Sequence, residues 1–248
     1  MKKIYGLIGY PLGHSFSKGY FNTKFTEEKI LAEYQNFELE DIDNFRSKID
    51  INKIYGLNVT IPHKSSIMSQ LDEIDNEANE VGAVNVIKFI RKGSEILLKG
   101  YNSDVIGFTE SIKPLLEKNN KKALILGTGG VSKAIKYSLD KLGIESIFVS
   151  RNIKPGCITY DMLNDKIMEE YNIIVNASPV GMYPNINSAP QIPYKFITNK
   201  HVVFDTIYNP LETQFLKLAA SQGAKVKNGL EMLEKQAITA WKIWNDEQ

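Results

Sequence analysis

A chain of 248 residues has room for one large or two modest domains, and an apolar fraction of 43% supports a buried core, which excludes disordered and fibrous classes. Thirty basic against 29 acidic residues leave a formal charge of +1, so no phosphate-tracking surface of a nucleic-acid binder is expected and the partner is read as a small molecule. The single cysteine, Cys157, excludes an intramolecular disulfide, and the three histidines lie in no Cys/His cluster of metal-ligand spacing, so no metal is expected.

The N-terminus runs directly into the strand-like Ile4-Tyr5-Gly6-Leu7-Ile8-Gly9, and no later stretch approaches 18 apolar residues. The expectation is a cytoplasmic protein without a membrane partner, monomeric or homodimeric. Ile4–Gly9 reads as a strand, 16–30 as a helix, Tyr34–Leu39 as a strand, 41–49 as a short helix and Ile54–Val59 as a third strand. Val84–Ile90 and Glu95–Lys99 flank the turn-bearing Arg91-Lys92-Gly93 and predict an antiparallel hairpin or edge pair. A helix from Ser103 to Lys118 then leads to polar residues, and Ala123–Leu126 opens a second strand–turn–helix series. Its further strands are predicted at Ser146–Val149, Asn172–Asn176 and His201–Asp205, with helices at 130–142, 161–169 and 211–222. Alternation of strands and helices makes the fold class α/β. The predicted division is a first α/β domain over 1–102 and a second, Rossmann-like domain over 103–228, with a last helix within 229–248 packing back on the first.

Leu124-Ile125-Leu126-Gly127-Thr128-Gly129-Gly130-Val131-Ser132 is a buried-type strand running through glycines into a helix. Glycine permits the tight turn and lets backbone N–H groups reach a diphosphate, whose charge the helix N-terminus favours. Ser132 stands where the third glycine of G-x-G-x-x-G is usual. The next strand ends in Ser150-Arg151-Asn152, where an NAD enzyme carries an acid for the ribose hydroxyls. Arg151 instead offers a guanidinium for a 2′-phosphate, with Ser150, Asn152 and Lys154 as further donors, so the expected cofactor is NADP.

Four short motifs place polar groups at strand ends of the first domain. They are Gly9-Tyr10-Pro11-Leu12-Gly13-His14-Ser15-Phe16-Ser17, Gly56-Leu57-Asn58-Val59-Thr60-Ile61-Pro62-His63-Lys64, Gly82-Ala83-Val84-Asn85 and Gly100-Tyr101-Asn102-Ser103-Asp104. In order and spacing they resemble the S-x-S, N-V-T-x-P-x-K, G-A-V-N and G-x-N-[TS]-D signatures of the shikimate dehydrogenase family. The second half is similar as well, in the Gly127–Ala134 loop, Ser150-Arg151, Asn176-Ala177-Ser178-Pro179-Val180-Gly181-Met182, Asp205-Thr206-Ile207-Tyr208-Asn209-Pro210, and Gly229-Leu230-Glu231-Met232-Leu233 with Gln236.

The resemblance implies a substrate-binding first domain and an NADP-binding second one. It also implies a reversible, NADPH-dependent reduction of 3-dehydroshikimate to shikimate in the biosynthesis of chorismate and the aromatic amino acids. Carried over residue by residue, it implies that Ser15, Ser17, Thr60, Lys64, Asn85, Asp104, Tyr208 and Gln236 bind the substrate, with Lys64 and Asp104 central to catalysis. Gly127, Thr128, Gly129, Gly130, Ser150, Arg151 and Asn152 would hold NADP, with Met182 and Gly229 beside the nicotinamide. Lys64 would hydrogen-bond the reacting oxygen and deliver or relay its proton while Asp104 orients lysine and substrate.

Three positions depart from the family's usual pattern: Lys18 after S-x-S, His63 before the lysine, and Val86 after G-A-V-N. His63 is read as a partly exposed loop residue without a role in the chemistry. The alternatives are a broad-specificity quinate/shikimate dehydrogenase using NAD as well, against which Arg151 argues, and a non-catalytic metabolite sensor, which would not need Lys64 and Asp104 together.

Overall fold

The computed structural model describes residues 2–13 and 16–247. It divides into two compact units, one formed by residues up to Ser103 with those from Ala237 onward, the other by Asp104–Gln236.

In the first unit, β1 (Lys3–Gly9) lies parallel to β2 (Ala32–Glu38) and β3 (Ile54–Val59), with α1 (Phe16–Glu27) as the crossover between β1 and β2. The four-residue α2 (Phe45–Lys48) precedes β3. Beyond β3 the chain forms β4 (Glu73–Ile74), α3 (Asn76–Val81), and the antiparallel pair β5 (Val86–Lys92) and β6 (Glu95–Tyr101). The sheet order is β2-β1-β3-β5-β6-β4. Because successive strand residues point to opposite faces, β1 sends Ile4 and Ile8 to one core with Leu57 and Ile87, and Tyr5 and Leu7 to another with Phe21, Phe25, Tyr34 and Trp244.

Three expectations shift in this unit. The helix expected over 41–49 is confined to α2, because the Asp41 carboxylate accepts the Asp43 amide in a local turn and Asn44 adopts a left-handed backbone, φ 54°. The short β4 pairs with β6 from outside, so the β5–β6 hairpin is interior and not an edge. The unforeseen α3 is capped by Asp75, which accepts the Glu77 amide at 3.0 Å, and ended by Gly82 at φ 68°.

The second unit opens with α4 (Asp104–Ile112), which stops short of the expected Lys118 because Pro114 lacks an amide hydrogen and turns the chain into a 3₁₀ segment, Lys113–Leu115. There follow β7 (Lys122–Leu126), α5 (Gly130–Lys141), β8 (Glu145–Ser150), β9 (Cys157–Thr159), α6 (Asp165–Glu170), β10 (Ile173–Asn176), β11 (Val202–Asp205), α7 (Gln214–Ser221) and β12 (Lys225–Lys227). α6 begins later than expected, where Asn164 accepts the Ile167 amide at 3.1 Å, and a 3₁₀ turn over Tyr160–Met162 fills the difference. The three-residue strands β9 and β12 are too short for periodicity to reveal.

All six strands of this sheet are parallel in the order β12-β11-β10-β7-β8-β9. Counted within the unit, that is the doubly wound order 3-2-1-4-5-6 read from the opposite edge, with its switch point between β7 and β10. Both faces are covered, Ile125, Val175 and Phe204 on one and Leu124, Ile174 and Val203 on the other, which is why these strands read as unbroken apolar runs.

The last helix, α8 (Leu230–Asn245), begins in the second unit and ends in the first. Met232 joins the core of the second unit, while Ala237, Ala240 and Trp244 join that of the first. The Trp244 indole N–H donates to the Ile87 carbonyl at 3.1 Å, and a Cβ on Gly56 would overlap the indole ring.

Candidate active site

The glycine turn stands at the switch point of the second sheet. Gly127 takes φ +116°, and a Cβ there would lie 3.0 Å from the Ala177 carbonyl oxygen, so only glycine lets the chain leave β7 this close to the chain leaving β10. Gly129 is the residue before α5, with no side-chain cap on the helix's amides and nothing within 4 Å of an added Cβ. Ser132 at the third fingerprint position is fully buried and donates its hydroxyl to the Gly129 carbonyl at 2.6 Å, so it packs helix against strand where a glycine was expected.

The loop after β8 lies beside this turn. Lys154 Nζ donates to Thr128 Oγ1 at 3.3 Å, which brings a cation to the glycines. Arg151 and Asn152 are exposed on the same loop, and the buried Ser150 hydroxyl accepts the Asn152 amide at 3.4 Å. Uncapped helix amides, an open cradle at Gly129 and two cations with no carboxylate at the end of β8 fit the diphosphate and 2′-phosphate of NADP.

Two further loops leave the same edge of the sheet. Asn176 ends β10 and shapes the turn to Met182 by accepting the Ser178 amide at 3.1 Å and donating to the Val180 carbonyl at 3.2 Å. Asp205 ends β11 and accepts from Ile207 N at 3.1 Å, Thr213 Oγ1 at 2.7 Å and Asn176 Nδ2 at 3.0 Å. Burial pushes its carboxyl up to about 6, against the lowering effect of those three donors. Met182 is exposed and Tyr208 half-buried on these loops. Gly229 donates its amide to the Ile207 carbonyl at 3.0 Å, and a Cβ on it would collide with the Thr206 backbone. Gln236 lies on α8 against Gly107, whose added Cβ would stand 3.2 Å from the Gln236 Cβ.

In the first unit the expected residues gather at one edge of the sheet, where β1, β3 and β6 end and β5 begins. Thr60 and Lys64 follow β3, both half-buried, and the Lys64 carbonyl accepts the Val84 amide at 2.7 Å, joining the lysine loop to the segment of Asn85. Asn85 accepts the Ser103 amide at 2.7 Å and donates to its hydroxyl at 3.1 Å. Asp104, the next residue along the chain, is buried and starts α4. Ser17 is buried at the start of α1 and hydrogen-bonds the Tyr34 hydroxyl, which donates to Asn58 Oδ1 at 2.8 Å. Ser15 lies outside the described residues.

One expectation is corrected here. His63 is 3% exposed, not partly exposed, with its Nε2 held 2.6 Å from the Leu39 carbonyl. Residues to which sequence reasoning assigned no role are Tyr34, Asn58, Asn176 and Asp205. The available signal was a polar side chain inside an apolar strand, as in Leu57-Asn58-Val59 and Val203-Phe204-Asp205, since such a group is kept only with partners.

Residues 7–87 match the family model for the shikimate dehydrogenase substrate binding domain. A shikimate dehydrogenase (NADP(+)) of Methanosphaera stadtmanae is 39% identical over 97% of this chain and 90% of its own length. The solved shikimate dehydrogenase of Aquifex aeolicus superposes with a TM-score of 0.86 at 35% identity, over 99% of this chain and 93% of that one. The shikimate 5-dehydrogenase of Thermus thermophilus, solved in complex with NADP(H) and shikimate, superposes with a TM-score of 0.85 at 26% identity, over 98% and 94%. With the fold and nearly its whole length shared with these proteins, the chain belongs to the shikimate dehydrogenase family.

Proposed function

We propose that this protein is an NADP-dependent oxidoreductase that interconverts 3-dehydroshikimate and shikimate in the biosynthesis of aromatic compounds. The observation that carries the reading is the glycine turn at the switch point, with Lys154 drawn onto Thr128 and Arg151 directly following the neighbouring strand. NADPH, when bound, supplies the hydride for the carbonyl carbon.

The chain's own residues do the rest. Lys64 holds the reacting oxygen, stabilises the negative charge that develops on it and gives up the proton; Asp104 orients the lysine and the substrate. Ser15, Ser17, Thr60, Asn85, Tyr208 and Gln236 bind the substrate's carboxylate and hydroxyls. The network from the Tyr34 hydroxyl through the Asn58 side chain to the Asn85 carbonyl supports this assignment, because it fixes the backbone from which the Asn85 side chain extends. The first unit is thus the substrate-binding domain and the second the NADP-binding domain. A cytoplasmic location is supported by the single cysteine, and among the described residues no helix is long and apolar enough to cross a membrane.

The test is the initial rate of NADPH formation by purified protein given shikimate or quinate with NADP or NAD. Turnover confined to shikimate with NADP is expected. Comparable rates with quinate or NAD would place it in the broad-specificity branch, and binding of both ligands without turnover would make it a metabolite sensor.

A further inference from the structure

Asn176 and Asp205 end neighbouring parallel strands, both at 0% exposure, and are joined by a hydrogen bond of 3.0 Å. Around this pair the remaining polar atoms are all assigned. Asn176 Oδ1 accepts the Ser178 hydroxyl at 2.7 Å and its amide at 3.1 Å, which folds the segment leading to Met182. Asp205 Oδ1 accepts the Ile207 amide at 3.1 Å and Oδ2 the Thr213 hydroxyl at 2.7 Å, which folds the segment carrying Tyr208.

Two more segments lean on the same centre. The Ala177 carbonyl bounds the space at Gly127, and the Ile207 carbonyl accepts the Gly229 amide at 3.0 Å. A line of direct contacts therefore runs from the glycine turn through Ala177, Asn176, Asp205 and Ile207 to Gly229. Every partner of Asp205 donates, so the position calls for a group that only accepts, and an ionised carboxylate is the side chain with four acceptor sites and no donor. A buried carboxylate is costly to keep charged, and the three donors around Asp205 offset part of that cost.

We propose that Asp205 is a positioning residue for the hydride-transfer end of the site: through Asn176, Ile207 and Thr213 it sets where the segments carrying Met182 and Tyr208 stand, and thereby sets turnover more than affinity. The inference rests on the dehydrogenase reading above. The hydrogen-bond partners of Asp205 are all protein groups. It acts through the two loops, and a shift of about 1 Å in groups that align two reactants is enough to lower turnover on the order of a hundredfold.

The decisive experiment compares wild-type protein with Asp205→Asn, which keeps the shape and turns one acceptor into a donor facing Asn176 or Thr213. kcat and KM are measured with shikimate and NADP, NADPH affinity by fluorescence titration, and the isotope effect with shikimate deuterated at the oxidised carbon. The expected result is a kcat lower by roughly ten- to a hundredfold, KM and NADPH affinity within about threefold, and a larger isotope effect.

A kcat within about twofold of wild type, or a loss matched by an equal loss of NADPH affinity, overturns the proposal. Should Asp205→Asn fail to fold, Thr213→Val removes a single donor and is expected to lower kcat alone by a smaller factor; an unchanged kcat there overturns the proposal equally. Wild-type protein inactive on shikimate defeats the functional reading, whereas an active wild type with unaffected variants defeats this inference alone.

Discussion

The ammonium of Lys154 stands 3.3 Å from the hydroxyl of Thr128, fastening the loop that follows β8 to the glycine turn that follows β7. Arg151 lies on the same loop, exposed, and Ser150-Arg151-Asn152 has no acid at the strand end where a ribose-binding carboxylate would sit. Arg151→Ala is expected to lower the preference for NADP over NAD, measured as the ratio of kcat/KM values, by about ten- to a hundredfold. An unchanged ratio would remove the arginine from cofactor choice.

The Lys64 carbonyl accepts the Val84 amide, a backbone contact that a change of its side chain leaves in place. Lys64→Ala is expected to lose about 10²–10⁴-fold in kcat if the side chain carries the proton, with circular dichroism checking that the variant is folded. Near-normal turnover in a folded variant would take the lysine out of the mechanism.

The two glycines of the turn separate folding from binding. Gly127→Ala puts a side chain at φ +116° against the Ala177 carbonyl, so it should lower stability by about 1–3 kcal/mol as well as weaken NADPH binding. Gly129→Ala meets nothing within 4 Å and has φ −81°, so its apo stability should stay within about 0.5 kcal/mol of wild type. It should still weaken NADPH binding, because the added methyl occupies the approach to the helix amides. Urea unfolding with NADPH titration checks both, and equal stability losses in the two variants would contradict the distinction.

Trp244 fills the space left by the missing side chain of Gly56 and donates to Ile87 from a helix that ends in the first unit. Trp244→Ala is expected to destabilise the protein by about 3–5 kcal/mol in urea unfolding, with a smaller loss for Trp244→Phe. A loss below about 1 kcal/mol would mean that α8 is not anchored by this residue.

Asp205 gives a pH dependence of definite sign. Its folded value, raised by burial to about 6 from an ordinary 3.8, means that the native state holds the proton more tightly than the unfolded chain. This contribution to stability is fully present below pH 3.8 and is lost as pH rises through about 6. Relative to Asp205→Asn, wild-type protein should therefore gain on the order of 3 kcal/mol between neutral pH and pH 4, with the other carboxylates common to both proteins. A pH-independent difference in unfolding free energy would show that the carboxyl is not perturbed.

The sequence by itself determined the α/β class, the glycine turn and the acid-free end of β8, because apolar periodicity, glycine's backbone freedom and the absence of a carboxylate are local properties of a few consecutive residues. It also carried the motifs that place Thr60, Lys64 and Asn85 at strand ends. Only the tertiary structure decided that Asn176 meets Asp205, that Tyr34 reaches Ser17 and Asn58, and that His63 is buried against Leu39. These are pairings between strands or loops far apart in the chain, and each is specified by sheet order and register, which no short window of sequence contains. The same holds for β4, whose two residues have no pattern of their own and form a strand only because β6 offers an unpaired edge.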